Sequence, residues 1–191
     1  LIYTGEAHFQ LEEFEKAVAA FRDAIALDAG AAPYIQNLGH ALLKLHRTAE
    51  ARAHFHLVTE RAPNAGAKAR ALVGAGMSFA EEGDEKKARE HFEKAVATDP
   101  TQLRARYRLA LLQAKAGENA AAVEHLRAVV QVDPLFEGAA YNLALAYRAL
   151  RNDAAAKEWE DRFKQVRKAK RELEDLKGSL RLDPASADLV A

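Results

Sequence analysis

One alanine returns along this chain at nearly constant spacing, and that spacing limits the folds open to it more than any other feature. The five copies are Ala17, Ala51, Ala88, Ala122 and Ala156, separated by 34, 37, 34 and 34 residues. Self-similarity at a period of this length is typical of arrays in which small units stack on one another. We therefore expect an array that grows by adding units, not one large core.

The third copy indicates what one unit contains. Residues 69–82 place large apolar side chains at helical spacing, and a second amphipathic segment covers residues 85–98. Gly83 and Asp84 lie between them as a helix terminator and a good N-cap, and Pro100 follows the second segment. Each unit is therefore predicted to be two antiparallel helices joined by a short turn.

Two local features predict details of the packing. Gly76 lies in the middle of a predicted helix, where glycine costs about 1 kcal/mol relative to alanine, so we expect another helix to approach closely there. The single 37-residue interval contains three extra residues, which we assign to a longer loop near residues 63–66, between the second and third units.

The unit resembles a tetratricopeptide repeat, whose signature joins a large residue, a Leu-Gly pair and an aromatic on the first helix to Ala-x3-Phe and Pro on the second. The third copy carries it at Leu72, Ala75, Gly76, Phe79, Ala88, Phe92 and Pro100. The other copies carry it at Gly5, Ala17 and Phe21; at Ile35, Leu38, Gly39, Leu42, Ala51, Phe55 and Pro63; at Leu109, Ala122, Leu126 and Pro134; and at Leu143, Tyr147 and Ala156.

The resemblance covers residues 1–166 and implies an all-α fold, a right-handed α-solenoid of stacked antiparallel helix pairs. The repeats are expected at about 1–31, 32–65, 69–102, 103–136 and 137–166.

The last repeat departs from the signature. Glu160 and Lys168 stand where the phenylalanine and the proline are expected. Without that proline the helix is predicted to run from about Asn152 to Lys177, with Gly178 ending or kinking it. Residues 167–191 are therefore assigned to an extended C-terminal helix followed by the start of a further repeat.

Apolar side chains recur at heptad spacing along this extended helix. They are Val166, Ala169, Leu173, Leu176 and Leu180, on a segment otherwise rich in charge. The pattern predicts that the helix packs on the preceding repeat, on another chain or on further repeats, and self-association through the terminal helices is one hypothesis.

Composition argues against several classes of function. The formal net charge is zero, so no general attraction to nucleic acid is expected. No run of eighteen apolar residues occurs, so direct membrane insertion is not predicted either. The chain has no cysteine, which excludes disulfides and thiolate metal sites without indicating a compartment. Leu1 falls directly within a helix pattern, so any signal peptide or upstream domain is expected to lie outside these residues.

The residue patterns point away from catalysis, cofactors and metals. Gly74-Ala75-Gly76 lacks the third glycine and the preceding strand of a dinucleotide loop. His54, His91 and His125 recur in three repeats, but helices stack about 8–10 Å apart and a metal needs nitrogens at about 2.1 Å, so we interpret them as packing residues. No nucleophile–base pattern is present. The chain is predicted to be no enzyme, with no cofactor and no metal site.

The family resemblance implies that the first helices of the repeats line a concave groove. Carried onto this sequence, the groove residues are Gln36, Asn37, His40, Lys44, Arg70, Val73, Met77, Arg104, Tyr107, Arg108, Leu111, Tyr141, Asn142, Leu145 and Arg148. Their mixture of arginines with apolar and aromatic side chains favours a peptide that carries acidic groups beside apolar anchors. A rival interpretation is that the arginines already pair with neighbouring acids such as Glu81.

The leading hypothesis is a non-enzymatic interaction scaffold that binds a protein or peptide segment in this groove. The alternative is the partner-recruiting array of a larger enzyme or of a bacterial envelope-assembly protein, with the chemistry outside these residues.

Overall fold

The computed structural model describes residues 2–27, 32–136 and 138–182. These residues form ten helices and contain no strand: α1 (Ile2–Gln10), α2 (Phe14–Leu27), α3 (Ala32–Lys44), α4 (Thr48–Arg61), α5 (Ala65–Glu81), α6 (Glu85–Thr98), α7 (Leu103–Lys115), α8 (Asn119–Val132), α9 (Ala139–Ala149) and α10 (Asp153–Leu182). The all-α class predicted from the sequence is confirmed. The chain divides into two compact units, Leu1–Leu112 and Gln113–Ala191.

Unit 1 is a stack of helix hairpins. Each helix from α1 to α5 packs against the next one in the chain, and the first helices of successive repeats also touch, α1 with α3 and α3 with α5. Short connections between consecutive helices require antiparallel neighbours. This packing buries one face of every helix, as the 3.6-residue periodicity predicts.

Glycine–phenylalanine contacts hold the hairpins of unit 1 together. A Cβ added to Gly5 would lie 2.7 Å from Phe21 Cε1, and one added to Gly76 would lie 2.6 Å from Phe92 Cε1. Phe55 has glycines on two neighbouring helices, Gly39 and Gly74, and any side chain there would meet its ring. The sequence prediction of close helix approach at Gly76 is confirmed, because the ring occupies the space of a side chain.

Capping residues define the hairpin of α5 and α6. Gly83 has a left-handed φ of 81°, and the Asp84 carboxylate accepts a hydrogen bond from Lys87 N at 3.0 Å. Hydrogen bonding to Lys87 holds the pKa of Asp84 below its ordinary value. The helix that follows spans Glu85–Thr98, as the sequence predicted.

The three-residue insertion lengthens a helix and not the loop, so the prediction of a longer loop near residues 63–66 is wrong. Only three residues separate Arg61 of α4 from Ala65 of α5, whereas α5 has 17 residues and α3 has 13. Asn64 is the cause: its side-chain oxygen accepts from Ala67 N at 2.9 Å and starts the helix there. The added turn is rich in alanine, which favours helix over loop.

Unit 2 contains α8 to α10, in which α9 packs against both α8 and α10. The helix α10 has 30 residues and runs past Val166 and Lys177, as predicted from the missing proline. It also continues through Gly178, so of the two predicted effects of this glycine, ending or kinking the helix, the ending does not occur. The predicted start of a further repeat, residues 185–191, lies outside the described residues. Leu173 and Leu176 on the heptad stripe are 46% and 60% exposed.

Across the part of the chain that the structure describes, no helix combines the length and the apolar character needed to cross a membrane.

Candidate functional site

The predicted groove residues of unit 1 lie on α3, α5 and α7. His40, Met77 and Leu111 occupy the same place in three successive repeats, and all three are half-buried. Met77 packs against two hydrophobic clusters, one around Phe55 and one around Phe92. Each of these three side chains therefore keeps part of its surface exposed.

His40 and Arg104 lie near each other although 64 positions separate them in the sequence. Burial, with a smaller contribution from the positive charge of Arg104, lowers the pKa of His40 to about 4. The His40 ring packs edge-on against Phe55, with 5.2 Å between centroids. The imidazole is therefore neutral near pH 7, and the cationic character of this surface comes from arginine.

Three arginines of the predicted groove set in unit 1 form no ion pair with a described carboxylate. Arg70 and Arg104 are exposed and Arg108 is half-buried. Within the described residues none of them has a carboxylate oxygen within the 4.0 Å of an ion pair, and Arg70 acts on Asp99 only through a longer-range electrostatic contribution. Glu81, the partner suggested by the rival interpretation, lies instead 3.9 Å from His46.

Val73 leaves the predicted groove set. Its side chain is 2% exposed and belongs to the core cluster that includes Ala105 and Leu109 of α7. A β-branched apolar side chain gains more by closing the α5–α7 contact than by facing solvent. The remaining predicted residues of α3 and α7 in unit 1, namely Gln36, Asn37, Lys44 and Tyr107, are half-buried or exposed.

The sequence interpretation missed an acidic member of this surface. Asn37 Nδ2 donates a hydrogen bond to Glu6 Oε1 at 3.5 Å, which connects α3 to α1. Glu6 precedes His40 by one repeat length of 34 residues, and that period was the signal that identifies it. The predicted groove surface therefore carries a carboxylate on α1 and arginines on α5 and α7.

The predicted residues of unit 2 have a different environment. Arg148 forms a hydrogen-bonded ion pair with Glu160, and the ring of Tyr141 lies 5.3 Å from that of Phe163. Asn142 Nδ2 donates to Gly138 O at 2.8 Å within its own helix region, and Leu145 is 41% exposed. The rival interpretation, that an arginine is already paired, therefore holds for Arg148.

The three repeated histidines, His54, His91 and His125, are all half-buried. His91 Nδ1 donates to Lys87 O at 2.8 Å, and the His91 ring packs 5.0 Å from Phe79. His54 is half-buried, and burial lowers its pKa. The described residues contain no group of three histidine, aspartate or glutamate side chains placed to hold a metal ion.

Four family models, all described as tetratricopeptide repeat, match residues 31–101, 79–134, 107–170 and 5–30. Together they follow the helix pairs from α1 into α10. The chain belongs to the tetratricopeptide repeat family. No sequence among curated proteins matches this tetratricopeptide chain significantly.

Solved structures share the tetratricopeptide fold at low sequence identity. MamA is 18% identical, with 88% of this chain and 96% of the other covered and a TM-score of 0.69. PilW, described as a widely conserved type IV pilus biogenesis factor, is 23% identical, with coverages of 86% and 75% and a TM-score of 0.70. YrrB, described as a TPR protein with an unusual peptide-binding site, is 22% identical, with coverages of 85% and 82% and a TM-score of 0.60. At these identities the likeness concerns the fold.

Proposed function

We propose that this tetratricopeptide array is a protein-interaction scaffold and that unit 1 binds an extended protein segment along α3, α5 and α7. The observation that carries the proposal is the placement of Arg70, Arg104 and Arg108, unpaired with any described carboxylate, on the helices that hold the half-buried His40–Met77–Leu111 row. Stacked helical repeats provide extended surfaces of this kind. The fold neighbour YrrB, described as having a peptide-binding site, supports the same class of function.

The ligand is a segment with acidic side chains beside apolar ones. Guanidinium groups pair with carboxylates through two parallel hydrogen bonds, and an unpaired arginine has these donors available. Met77 adapts its shape to irregular apolar partners, and Tyr107 adds amphipathic contact area. Glu6 at the α1 end disfavours a carboxylate there, so the acidic residues of the ligand should lie toward α7.

Selection of peptides from a random display library on the immobilised chain tests the proposal. The selected peptides should be enriched in Asp or Glu next to Leu, Ile or Phe. In fluorescence anisotropy, the Arg104→Glu/Arg108→Glu variant should bind the best of them about tenfold or more weakly, since two attractive charges become repulsive.

The matched control is Arg127→Glu/Arg171→Glu, which makes the same charge change at two exposed positions of unit 2. It should bind within about twofold of the parent, since neither arginine belongs to the proposed binding surface and solvent-exposed charges are screened by salt. Circular dichroism confirms that both variants are folded. Selection of neutral or basic peptides, or equal affinity of the folded Arg104/Arg108 variant and the parent, would contradict the proposal.

A further inference from the structure

A pocket of about 460 Å³ lies between α4 and α6, outside the predicted groove. Both helices pack against α5, which forms its floor. Each of the three helices contributes a stripe of side chains spaced three or four residues apart, so that one face of each points into the pocket. The lining residues are Arg52, His56 and Thr59 of α4; Lys68, Leu72, Ala75 and Phe79 of α5; and His91, Lys94 and Thr98 of α6.

The floor of this pocket is apolar and mostly buried. Leu72 and Ala75 are 8% and 5% exposed, so their positions are set by the core beneath. The Phe79 ring packs against His91 and lies under the Arg52 guanidinium, which is 4.3 Å from the ring centroid. An apolar side chain placed here would displace water from an apolar surface.

One edge of the pocket is held by a hydrogen-bonded group of three side chains. Arg52 donates from both terminal nitrogens to Glu82, at 2.7 and 3.1 Å, and Thr48 Oγ1 donates to the same carboxylate at 2.7 Å. These bonds hold the pKa of Glu82 below its ordinary value, so the carboxylate stays ionised and the pairing persists. Arg52 therefore stabilises one edge of the pocket, and its guanidinium group is already paired with Glu82.

The remaining polar wall is cationic or neutral. Lys68 and Lys94 are exposed, and neither has an ion-pair partner within the described ranges 2–27, 32–136 and 138–182. His56 lies 3.5 Å from Glu60, and the Thr59 hydroxyl donates to Phe55 O at 2.9 Å. No carboxylate lines the pocket. An anionic group would therefore meet two ammonium groups that have no ion-pair partner among the described residues, while the Glu82 carboxylate at the pocket edge is already paired with Arg52.

We propose that the pocket between α4 and α6 is a second binding site, separate from the α3–α5–α7 surface, for an acidic protein segment. An apolar side chain of the segment packs on Leu72, Ala75 and Phe79, and a neighbouring carboxylate pairs with Lys68 and Lys94. The exposure of both lysines favours a segment over a small molecule, because small ligands are held by burial of most of their surface. An array with ligands on two sides can bring two partners together.

Site-specific labels can separate this pocket from the proposed groove, because the chain has no cysteine. Thr98→Cys places an environment-sensitive fluorophore at the pocket, and Lys44→Cys places the same fluorophore on α3. The probe is a synthetic peptide of alternating Glu and Leu, compared with the same peptide carrying Gln in place of Glu. The acidic peptide should change the emission of the Thr98→Cys label, and the Gln peptide should bind there at least about fivefold more weakly.

Charge reversal then identifies the binding groups. With the label at Thr98→Cys, Lys68→Glu/Lys94→Glu should weaken binding of the acidic peptide by about tenfold. Lys86→Glu/Lys157→Glu is the matched control, since both lysines are exposed and lie outside the pocket lining, and it should stay within about twofold. Circular dichroism shows whether each variant is folded.

Several results would overturn the second site. They are a response of the Lys44→Cys label alone, equal binding of the Glu and Gln peptides at the pocket label, and equal losses in the Lys68/Lys94 and Lys86/Lys157 variants. Free glutamate that displaces the peptide at equal carboxylate concentration would show a small-anion site instead. If the label at Thr98→Cys gives no response while the label at Lys44→Cys still responds, the second site is overturned. The groove proposal is unaffected by that result, so the two proposals fail independently.

Discussion

The third repeat and the last repeat place different chemistry at the same position. In α6 the position holds Phe92, which is 1% exposed and lies against Gly76 of α5. In α10 the position holds Glu160, which is half-buried and pairs with Arg148 of α9. The aromatic contact of the last repeat moves outward, to Tyr141 and Phe163. An interior repeat is thus held by packing, whereas the last one holds its hairpin partly through surface charge.

The difference also concerns which side chains remain available for a ligand. In unit 1, Arg104 and Arg108 form no ion pair with a described carboxylate, whereas in unit 2 the Glu160 carboxylate occupies Arg148. Glu160, which stands where a buried ring is expected, therefore also pairs with a predicted binding residue, Arg148. The four predictions below test this contrast, beginning with the largest effect.

Truncation at the shared position should separate the two repeats most strongly. We expect Phe92→Ala to lower the free energy of unfolding by about 3–5 kcal/mol, because it leaves a cavity between α5 and α6. Glu160→Ala should cost at most about 1 kcal/mol, as an ion pair that is only partly shielded from solvent contributes little. Urea unfolding followed by far-ultraviolet circular dichroism measures both. Equal losses would show that the two repeats are stabilised in the same way.

Overpacking at the glycine should have the next largest effect. Gly76→Leu forces a side chain into the Phe92 ring and should destabilise the protein by about 1–3 kcal/mol or more, despite the better helix propensity of leucine. Ala80→Leu, one turn later on an exposed face of α5, is the control and should change stability by less than about 0.5 kcal/mol. An unchanged thermal midpoint for Gly76→Leu would contradict the repeat register assigned to α5 and α6.

Mild acid should weaken unit 1 through His40. The folded-state pKa of about 4 lies below the ordinary value of 6.5, so the unfolded chain binds the proton more readily between these values. Stability contributed by the neutral imidazole is therefore present above pH 6.5 and is lost as the pH falls toward 4.

Between pH 7 and pH 5 this loss should be about 1–2 kcal/mol. His40→Gln should remove that part of the pH dependence, as measured by urea unfolding at both pH values. His56→Gln, at an exposed position of α4, is the control and should retain it. If His40→Gln keeps the full pH dependence of the parent, the titrating group lies elsewhere.

Removal of the Asn64 cap should have the smallest effect of the four. Asn64→Ala deletes the hydrogen bond to Ala67 N that begins the added turn of α5 and should cost about 1 kcal/mol. Asn64→Asp preserves a side-chain acceptor and should stay near the parent. Amide exchange of residues 65–68 should speed up in the alanine variant alone. Unchanged exchange there would mean that packing, and not the cap, holds the added turn.

Local patterns in the sequence predicted most of the helices. The alanine period, Gly83 and Asp84 identify the α5–α6 hairpin, and the absence of a proline at Lys168 predicts the length of α10. These signals act within a few residues of the backbone they control, so they can be recognised without knowledge of the fold. The insertion near residue 64 is wrongly assigned to the loop, because the Asn64 cap and the alanine-rich turn after it place the added residues in α5.

The sequence by itself determined that this protein is a tetratricopeptide array with glycines where rings pack. Only the tertiary structure decided which charged groups are free. Repeat position assigned both Arg104 and Arg148 to the predicted groove, yet Arg148 is paired with Glu160. Repeat position also could not show that Val73 lies in the core or that Lys68 and Lys94 line one pocket. Such pairings depend on side-chain reach between helices distant in sequence, which periodicity does not encode.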